Sequence, residues 1–233
     1  MFILLPNVLH PDGFDQLPIA LRKTVETIDI LLAESYSSAR RYLKHLQIHL
    51  PIEIYNKHTP LSVLQDLACD MKKGTSFGLI SDAGLPAIAD PGSKLVALCH
   101  IHGIAVSVCG ALSSIDAALM LSGFSGNRFS FVGYLPKKSV DSKKEIKRIE
   151  SRAEKEASSQ IFIETPYRAE KLYDLLLDTL KEDTYLFIGK NLGSFSPYAR
   201  SCTVQQWRKT TVEWKKEPTI FLLFRGDFFS SQT

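Results

Sequence analysis

No apolar run in the sequence approaches the ~20 residues that a membrane-spanning helix needs. The opening Met1-Phe2-Ile3-Leu4-Leu5-Pro6 is too short and too uncharged for a secretory signal. A soluble, cytoplasmic protein with no membrane partner is expected. Cysteine is scarce: Cys69, Cys99, Cys109 and Cys202 are scattered, with no C-x-x-C pair, which argues against a zinc ribbon and a disulfide framework. Charge of one sign is scarce as well. The 28 Lys and Arg against 25 Asp and Glu leave +3, too little to announce nucleic acid on its own. There is no G-x-G-x-x-G after the first strand and no G-x-x-x-x-G-K-[ST], against an NAD enzyme, a P-loop NTPase or a Rossmann-type methyltransferase. No G-x-S-x-G elbow is present, against a serine hydrolase. In Cys99-His100-Ile101-His102 the two histidines point roughly opposite ways on a helix, so no metal site is expected.

What is present is a folding pattern. Hydrophobic residues make up 45% of 233 residues, enough for a substantial core and too many for a disordered chain. Apolar runs at 2–5, 28–33, 52–55, 77–80 and 104–108 read as strands rich in Ile, Val and Leu on both faces. Helical patterns at 17–27, 37–47, 60–72 and 93–102 separate them, with Thr59-Pro60 as cap and first helical residue. Strand–helix–strand at this spacing means parallel pairing with helices on the faces. An apolar helix at 113–122 ends at Gly123. From Arg128 the pattern restarts with strands at 129–134, 161–164, 185–188 and 220–224 and helices at 140–156 and 170–180. The spacing predicts an α/β protein of two lobes, 1–123 with a mostly parallel sheet and 124–233 with a mixed one.

Open α/β sheets bind ligands at the carboxyl ends of their strands, so the loops there carry the interest. The loop after the fourth strand stands out: Ser81-Asp82-Ala83-Gly84-Leu85-Pro86-Ala87-Ile88-Ala89-Asp90-Pro91-Gly92. Two acids, two glycines and two prolines before a helix suit a rigid ligand wall with close backbone approach; ordinary turn chemistry is the plainer account. Read as a motif, this loop closely resembles the SDAGTPxxSDPG loop of the ribosomal RNA small subunit methyltransferase I group, in the tetrapyrrole methylase superfamily of class III methyltransferases. Ser113-Ser114, the stretch from Asn127 to Pro136 with its R-F-x-F-x-G-Y-L-P pattern, and Phe162-Ile163-Glu164-Thr165-Pro166-Tyr167-Arg168 follow in family order. Departures are plain. P-x-P-I-G-N-L becomes Leu5-Pro6-Asn7-Val8-Leu9-His10, and A-E-D-T-R keeps only Ala33-Glu34. R-E-L-T-K becomes Gly189-Lys190-Asn191-Leu192-Gly193. The chain resembles a short, divergent member.

The resemblance implies S-adenosylmethionine as cofactor, folded in a cleft between the two lobes, and a homodimer. It implies Asp82, Ala83 and Leu85 along one side of the cofactor, with Ser113 and Ser114 bonding at a helix N-terminus. On the second lobe it implies Thr165 and Pro166, as cap and first helical residue, and Leu192 and Pro218 flanking the adenine. Candidates for a proton acceptor are Glu34, at the end of the second strand, and His58, in Asn56-Lys57-His58-Thr59 after the third. A helix-capping role is the plain alternative for both. The implied activity is 2′-O-ribose methylation of a ribosomal RNA cytidine, with the small ribosomal subunit as partner. A small-molecule acceptor such as a tetrapyrrole precursor, or cofactor binding without catalysis, are the alternatives. Residues 137–156 hold eight Lys or Arg and five Asp or Glu, and Trp207-Arg208-Lys209 and Trp214-Lys215-Lys216 set aromatics among basic residues, a weak signal for RNA beside that of a solvated surface. The apolar Tyr42, Leu43 and Leu46 of the helix at 37–47 are expected to face a second copy.

Overall fold

The computed structural model describes Met1–Gly226. Within it lie two compact units, Met1–Ser113 and a second that begins at Ser114. The first carries β1 (Phe2–Leu4), α1 (Leu21–Val25), β2 (Ile30–Ala33), α2 (Tyr36–Leu46), β3 (Ile52–Ile54), α3 (Leu61–Lys72), β4 (Phe77–Ile80), α4 (Ser93–Ile101) and β5 (Val106–Val108). Its five strands pair in the order β3-β2-β4-β1-β5, all parallel. Helices cover both faces, as parallel strands buried on two sides require. Leu21, Val25, Tyr42 and Leu46 pack on one face against Ile3, Leu31 and Ile80. Leu64, Leu67, Met71, Leu95 and Cys99 pack on the other against Phe2, Leu32, Phe77 and Leu79. Cys99 is thus a core residue.

Three local expectations are corrected. The helix expected over 17–27 is shorter, because Pro18 holds Leu17 extended at φ −71, ψ 147; a 3₁₀ turn at Pro11–Gln16 precedes α1. Thr59 does not cap α3. Its hydroxyl accepts from the Asn56 N–H at 2.9 Å, and Pro60 is the cap residue. Tyr42, Leu43 and Leu46 are buried within their own unit, so α2 keeps no apolar face for a second copy.

The second unit carries α5 (Ser114–Ser122), β6 (Phe129–Tyr134), α6 (Ser139–Glu156), β7 (Ser159–Glu164), α7 (Ala169–Thr179), β8 (Tyr185–Lys190), β9 (Tyr198–Thr203), α8 (Val204–Trp207) and β10 (Thr219–Phe224). Strand order is β6-β7-β10-β8-β9, with β6–β7 parallel and the other pairs antiparallel. Helix α5 packs on this sheet beside Ile220, Leu222 and Phe224, so it belongs to the second compact unit; a border after Gly123 falls one helix later. Alternation along β10 sends Phe221 and Leu223 to the opposite face, among Ile146, Leu172, Leu176 and Trp207. Trp207 donates from Nε1 to the Leu186 carbonyl at 2.7 Å, and Trp214 rests on Tyr173 and Phe221. Trp207 is fully buried and offers no stacking surface for RNA, while Trp214 is half-buried against the core. Among the described residues, no helix is long and apolar enough to cross a membrane.

Candidate functional site

In the first unit β1, β4 and β2 are neighbours, so the loops at their carboxyl ends meet. Asn7, after β1, is buried and its side-chain amide holds the loop after β4. Nδ2 donates to the Ser81 carbonyl at 2.9 Å, the Asp82 carbonyl at 3.2 Å and Ser38 Oγ at 3.1 Å; Oδ1 accepts from the Val8 N–H at 2.9 Å. The Asn7 N–H adds a bond to the Gly84 carbonyl at 2.8 Å. Sequence reasoning gave Asn7 no role. An asparagine directly after a strand was the available signal, but its partners lie 74 and 75 residues away.

The loop at 81–92 is strained as well as tethered. Ala87 and Ala89 sit at φ 67 and 63, conformations an L-residue adopts at a cost that surrounding structure must offset. Gly92 is at φ +147, and a Cβ there would stand 2.9 Å from Ala87 Cβ and 3.0 Å from Ala87 N. Gly92→Ala should therefore push the loop out of place. We expect a stability loss of about 1–3 kcal/mol and a clear rise in the Kd for S-adenosylhomocysteine, read by thermal melting and calorimetric titration. A variant that melts and binds like the parent would show that the loop yields freely.

Three carboxyls gather at these strand ends. Burial, reinforced by the charges of Asp90 and Asp82 and opposed by Lys57, pushes Glu34 up to about 7. Its Oε1 is buried without a hydrogen-bond partner. Burial and Asp82 push Asp90 up to about 6 against a hydrogen bond from Ser81. Asp82 itself is exposed and accepts from Ser35 Oγ at 2.8 Å. Ser35, rather than Glu34, caps α2, accepting from the Ser38 N–H at 3.3 Å. That leaves the Glu34 carboxyl outside any capping role. Ala83 is exposed and Leu85 half-buried on the same loop, and Ser113 is buried at the end of the unit. His58 is exposed in the turn that opens α3, where its N–H donates to Asn56 Oδ1 at 2.9 Å.

In the second unit Ser114 opens α5. Thr165 and Pro166 do not open α7. They form a turn whose Thr165 carbonyl accepts from the Arg168 and Ala169 N–H groups, and the helix starts at Ala169. The Thr165 hydroxyl is engaged at Glu164, whose buried side chain also accepts the Thr165 N–H at 2.7 Å and pairs with Arg168 at 2.9 Å. Leu192 is buried beneath α5 among Phe187 and Ile220, while Pro218 is exposed and its carbonyl accepts from the Asn191 N–H. Sequence reading did not anticipate a cavity of about 360 Å³ lined by Lys190, Tyr198, Lys215 and Glu217 among others. The buried Lys190 Nζ lies 4.7 Å from the Tyr198 ring centre and 3.8 Å from Glu217 Oε2.

Comparison with known proteins matches this architecture. No family model matches the chain. Ribosomal RNA small subunit methyltransferase I of Thermotoga maritima is 30% identical over 182 residues, spanning 77% of this chain and 78% of that one. The protein of the same name from Halalkalibacterium halodurans is 30% identical over 210 residues, 88% and 67% of the two chains. That of Leptospira biflexa is 31% identical over 172 residues, 72% and 68%. Among solved structures, diphthine synthase superposes with a TM-score of 0.70 at 13% identity, covering 96% of this chain and 88% of its own; this shows a shared fold. Fold and relatives define an S-adenosylmethionine-dependent methyltransferase of the tetrapyrrole methylase superfamily. Within it, the chain belongs to the ribosomal RNA small subunit methyltransferase I family.

Proposed function

We propose that this protein transfers a methyl group from S-adenosylmethionine to the ribose 2′-hydroxyl of a cytidine in the RNA of the small ribosomal subunit. The observation that carries this reading is the Glu34 carboxyl, which titrates near neutrality with an unpartnered buried oxygen, beside a strained, tethered loop. A hydroxyl attacking a methyl group must give up its proton, and an acceptor with a pKa near the working pH does this best. The surroundings suit the cofactor: its sulfonium and ammonium are cationic, and Glu34, Asp82 and Asp90 supply opposite charge. When bound, the sulfonium supplies an electrophilic methyl carbon whose C–S bonding pair leaves with sulfur. Glu34 takes the hydroxyl proton as the new C–O bond forms. Asp82, Ala83, Leu85 and Ser113 of the first unit, with Ser114, Thr165, Pro166, Leu192 and Pro218 of the second, are the residues we assign to holding the cofactor. Such a substrate belongs to the cytoplasm.

The relatives' names support the RNA acceptor, since each is called a ribosomal RNA methyltransferase. Labelled S-adenosylmethionine incubated with small subunits lacking their native modification should put label into ribose of the RNA. Cofactor binding with no transfer to RNA would favour a small-molecule acceptor, such as a tetrapyrrole precursor, or a non-catalytic role. We infer a homodimer as well. Val108, on the edge strand β5, and Leu112 are exposed, as are Met120 and Leu121 on α5, and apolar surface of this kind favours an isologous contact. Light scattering should return twice the chain mass of 26.1 kDa; a monomer at micromolar concentration would contradict it.

A further inference from the structure

Lys190 ends β8 in the middle of three paired strands, opposite Thr219 on β10 and Tyr198 on β9. Side chains alternate along a strand. Leu186 and Ile188, on the same face as Lys190, pack with Trp207, and Tyr198, Val212 and Trp214 lean on that cluster. Phe187 and Leu192 lie on the other face with α5. The cavity of about 360 Å³ at Lys190 is therefore turned away from Leu192, and none of the residues assigned to the cofactor lines it. Its volume is that of a site for a small ligand or one nucleotide unit.

Lysine is seldom buried without partners for its charge and its donors, and here the set of partners is incomplete. The Lys190 side chain is 7% exposed. One of its three N–H donors reaches the Glu213 carbonyl at 2.5 Å. Glu217 Oε2, at 3.8 Å, balances the charge from beyond hydrogen-bond range. The ring centres of Tyr198 and Trp214 lie 4.7 and 5.4 Å from the ammonium, an attraction that needs no directed bond. Donors are left over. The Glu217 carboxylate, the Asn191 amide and the hydroxyls of Ser196 and Thr211 also line the cavity, and none of them makes a side-chain hydrogen bond among the described residues. Charge decides what such a lining accepts. Lys190 and Lys215 are matched by Glu217 and Glu213, and Lys215 is already paired with Glu213 at 3.3 Å. An oxyanion would gain Lys190 and meet the Glu217 carboxylate beside it, so the field does not select an anion. A neutral ring with acceptors and donors on one edge gains from both, and hydrogen bonds to charged groups are the strong ones. Nucleobases carry such an edge and present flat apolar faces to a wall such as Val212. Unpaired RNA bases are read by hydrogen bonds along those edges.

We propose that this cavity takes one unpaired nucleobase of the RNA substrate, whose edge accepts from the Lys190 ammonium and donates to the Glu217 carboxylate. The inference rests on the reading of RNA as the methyl acceptor and adds where one of its bases is held. The test is calorimetric titration of the full chain, saturated with S-adenosylhomocysteine so that no nucleoside reports on the cofactor site. The probes are the four ribonucleosides, with inorganic phosphate as the anion control and methyl transfer to small subunits measured alongside. At least one nucleoside should bind with a Kd of about a millimolar or below, and phosphate should not displace it. Lys190→Met, which removes the donors, should weaken that binding roughly tenfold or more. Glu217→Gln, which keeps the shape and removes the charge, should weaken it as well, and carries the test alone if the Met variant does not fold. In both, the KM for small subunits should rise while kcat stays near the parent's, and S-adenosylhomocysteine affinity should not move, which also shows that each is folded. Absence of nucleoside binding, binding that the variants leave untouched, or displacement of the nucleoside by phosphate overturns the base site even where subunits are methylated. Nucleoside binding that both variants weaken, with no methyl transfer by the parent to any subunit, keeps the base site and overturns the acceptor reading instead.

Discussion

Glu34→Gln should stop methyl transfer and, at pH 8, make the protein harder to melt. Both effects follow from one environment. The carboxyl stands in partly buried surroundings with two other acids, so its charged form is disfavoured and its pKa rises to about 7. As proton acceptor it works only when ionised. The rate should climb with unit slope below pH 7 and level off above it, and Gln, which cannot accept the proton, should lower kcat by about 10²–10⁴-fold. Stability runs the other way. The folded pKa lies above the ordinary value of 4.5, so the stability this group allows is fully present below pH 4.5 and is lost as pH rises through 7. A neutral amide carries no such penalty. The variant should therefore gain melting temperature at pH 8 and gain almost nothing at pH 4. Melting profiles of parent and variant at the two pH values, with single-turnover rates between pH 5 and 9, decide the matter. A variant that turns over normally would move the proton to another acceptor, with His58 next to be tested. A variant with no gain at pH 8 would mean that the charge at Glu34 is well solvated.

The same carboxyl marks how far the sequence could be read. Glu34 was visible because it ends an apolar run, Ile30–Ala33, and every strand of the first sheet was visible for the same reason. Parallel strands covered on both faces are continuous apolar segments, and their ends expose the loops where chemistry sits. Strand β9 was not visible. Tyr198-Ala199-Arg200-Ser201-Cys202-Thr203 lies at the sheet edge with most of its residues exposed or half-buried, so it has no apolar run to betray it. Helix α7 lies at Ala169–Thr179, where its apolar periodicity over 170–180 puts it; only the cap expected at Thr165-Pro166 failed, because Thr-Pro is as good a turn as it is a helix opening, and the hydroxyl of Thr165 found Glu164 instead. Trp207 and Trp214 sit among basic residues in sequence, but their environment is decided by partners such as Leu186 and Tyr173. Composition cannot show which way a ring turns. The acidity of Asp90 was equally hidden, since it depends on burial and on Asp82 across the loop.

Asn7 is where this limit has its largest consequence, and Asn7→Asp should unlatch the loop that carries Asp82, Ala83 and Leu85. The side chain is 3% exposed, and its amide nitrogen faces three acceptors, the carbonyls of Ser81 and Asp82 and the Ser38 hydroxyl. Aspartate has the same shape but replaces that donor with an acceptor. The two carbonyls then lose their partner and face a negative charge, with the Asp82 carboxylate on the same loop. Leaving buried acceptors unsatisfied in this way costs about 2–4 kcal/mol, which lowers the melting temperature by roughly 5–15 °C for a unit of this size. Ser38→Ala, which removes one of the three acceptors and leaves both carbonyl contacts, should cost only about 1 kcal/mol. Affinity should follow the same order. Calorimetry with S-adenosylhomocysteine should show the aspartate variant weakened tenfold or more and the Ser38 variant close to the parent, because the loop at 81–92 stays latched in the second and not in the first. If the aspartate variant melted and bound as the parent does, the loop would be held by the backbone bonds of Gly84 to Asn7 and Val8, and the side-chain amide would be dispensable. The reverse ordering, with Ser38→Ala the more damaging, would place the latch on α2 instead of on the two carbonyls.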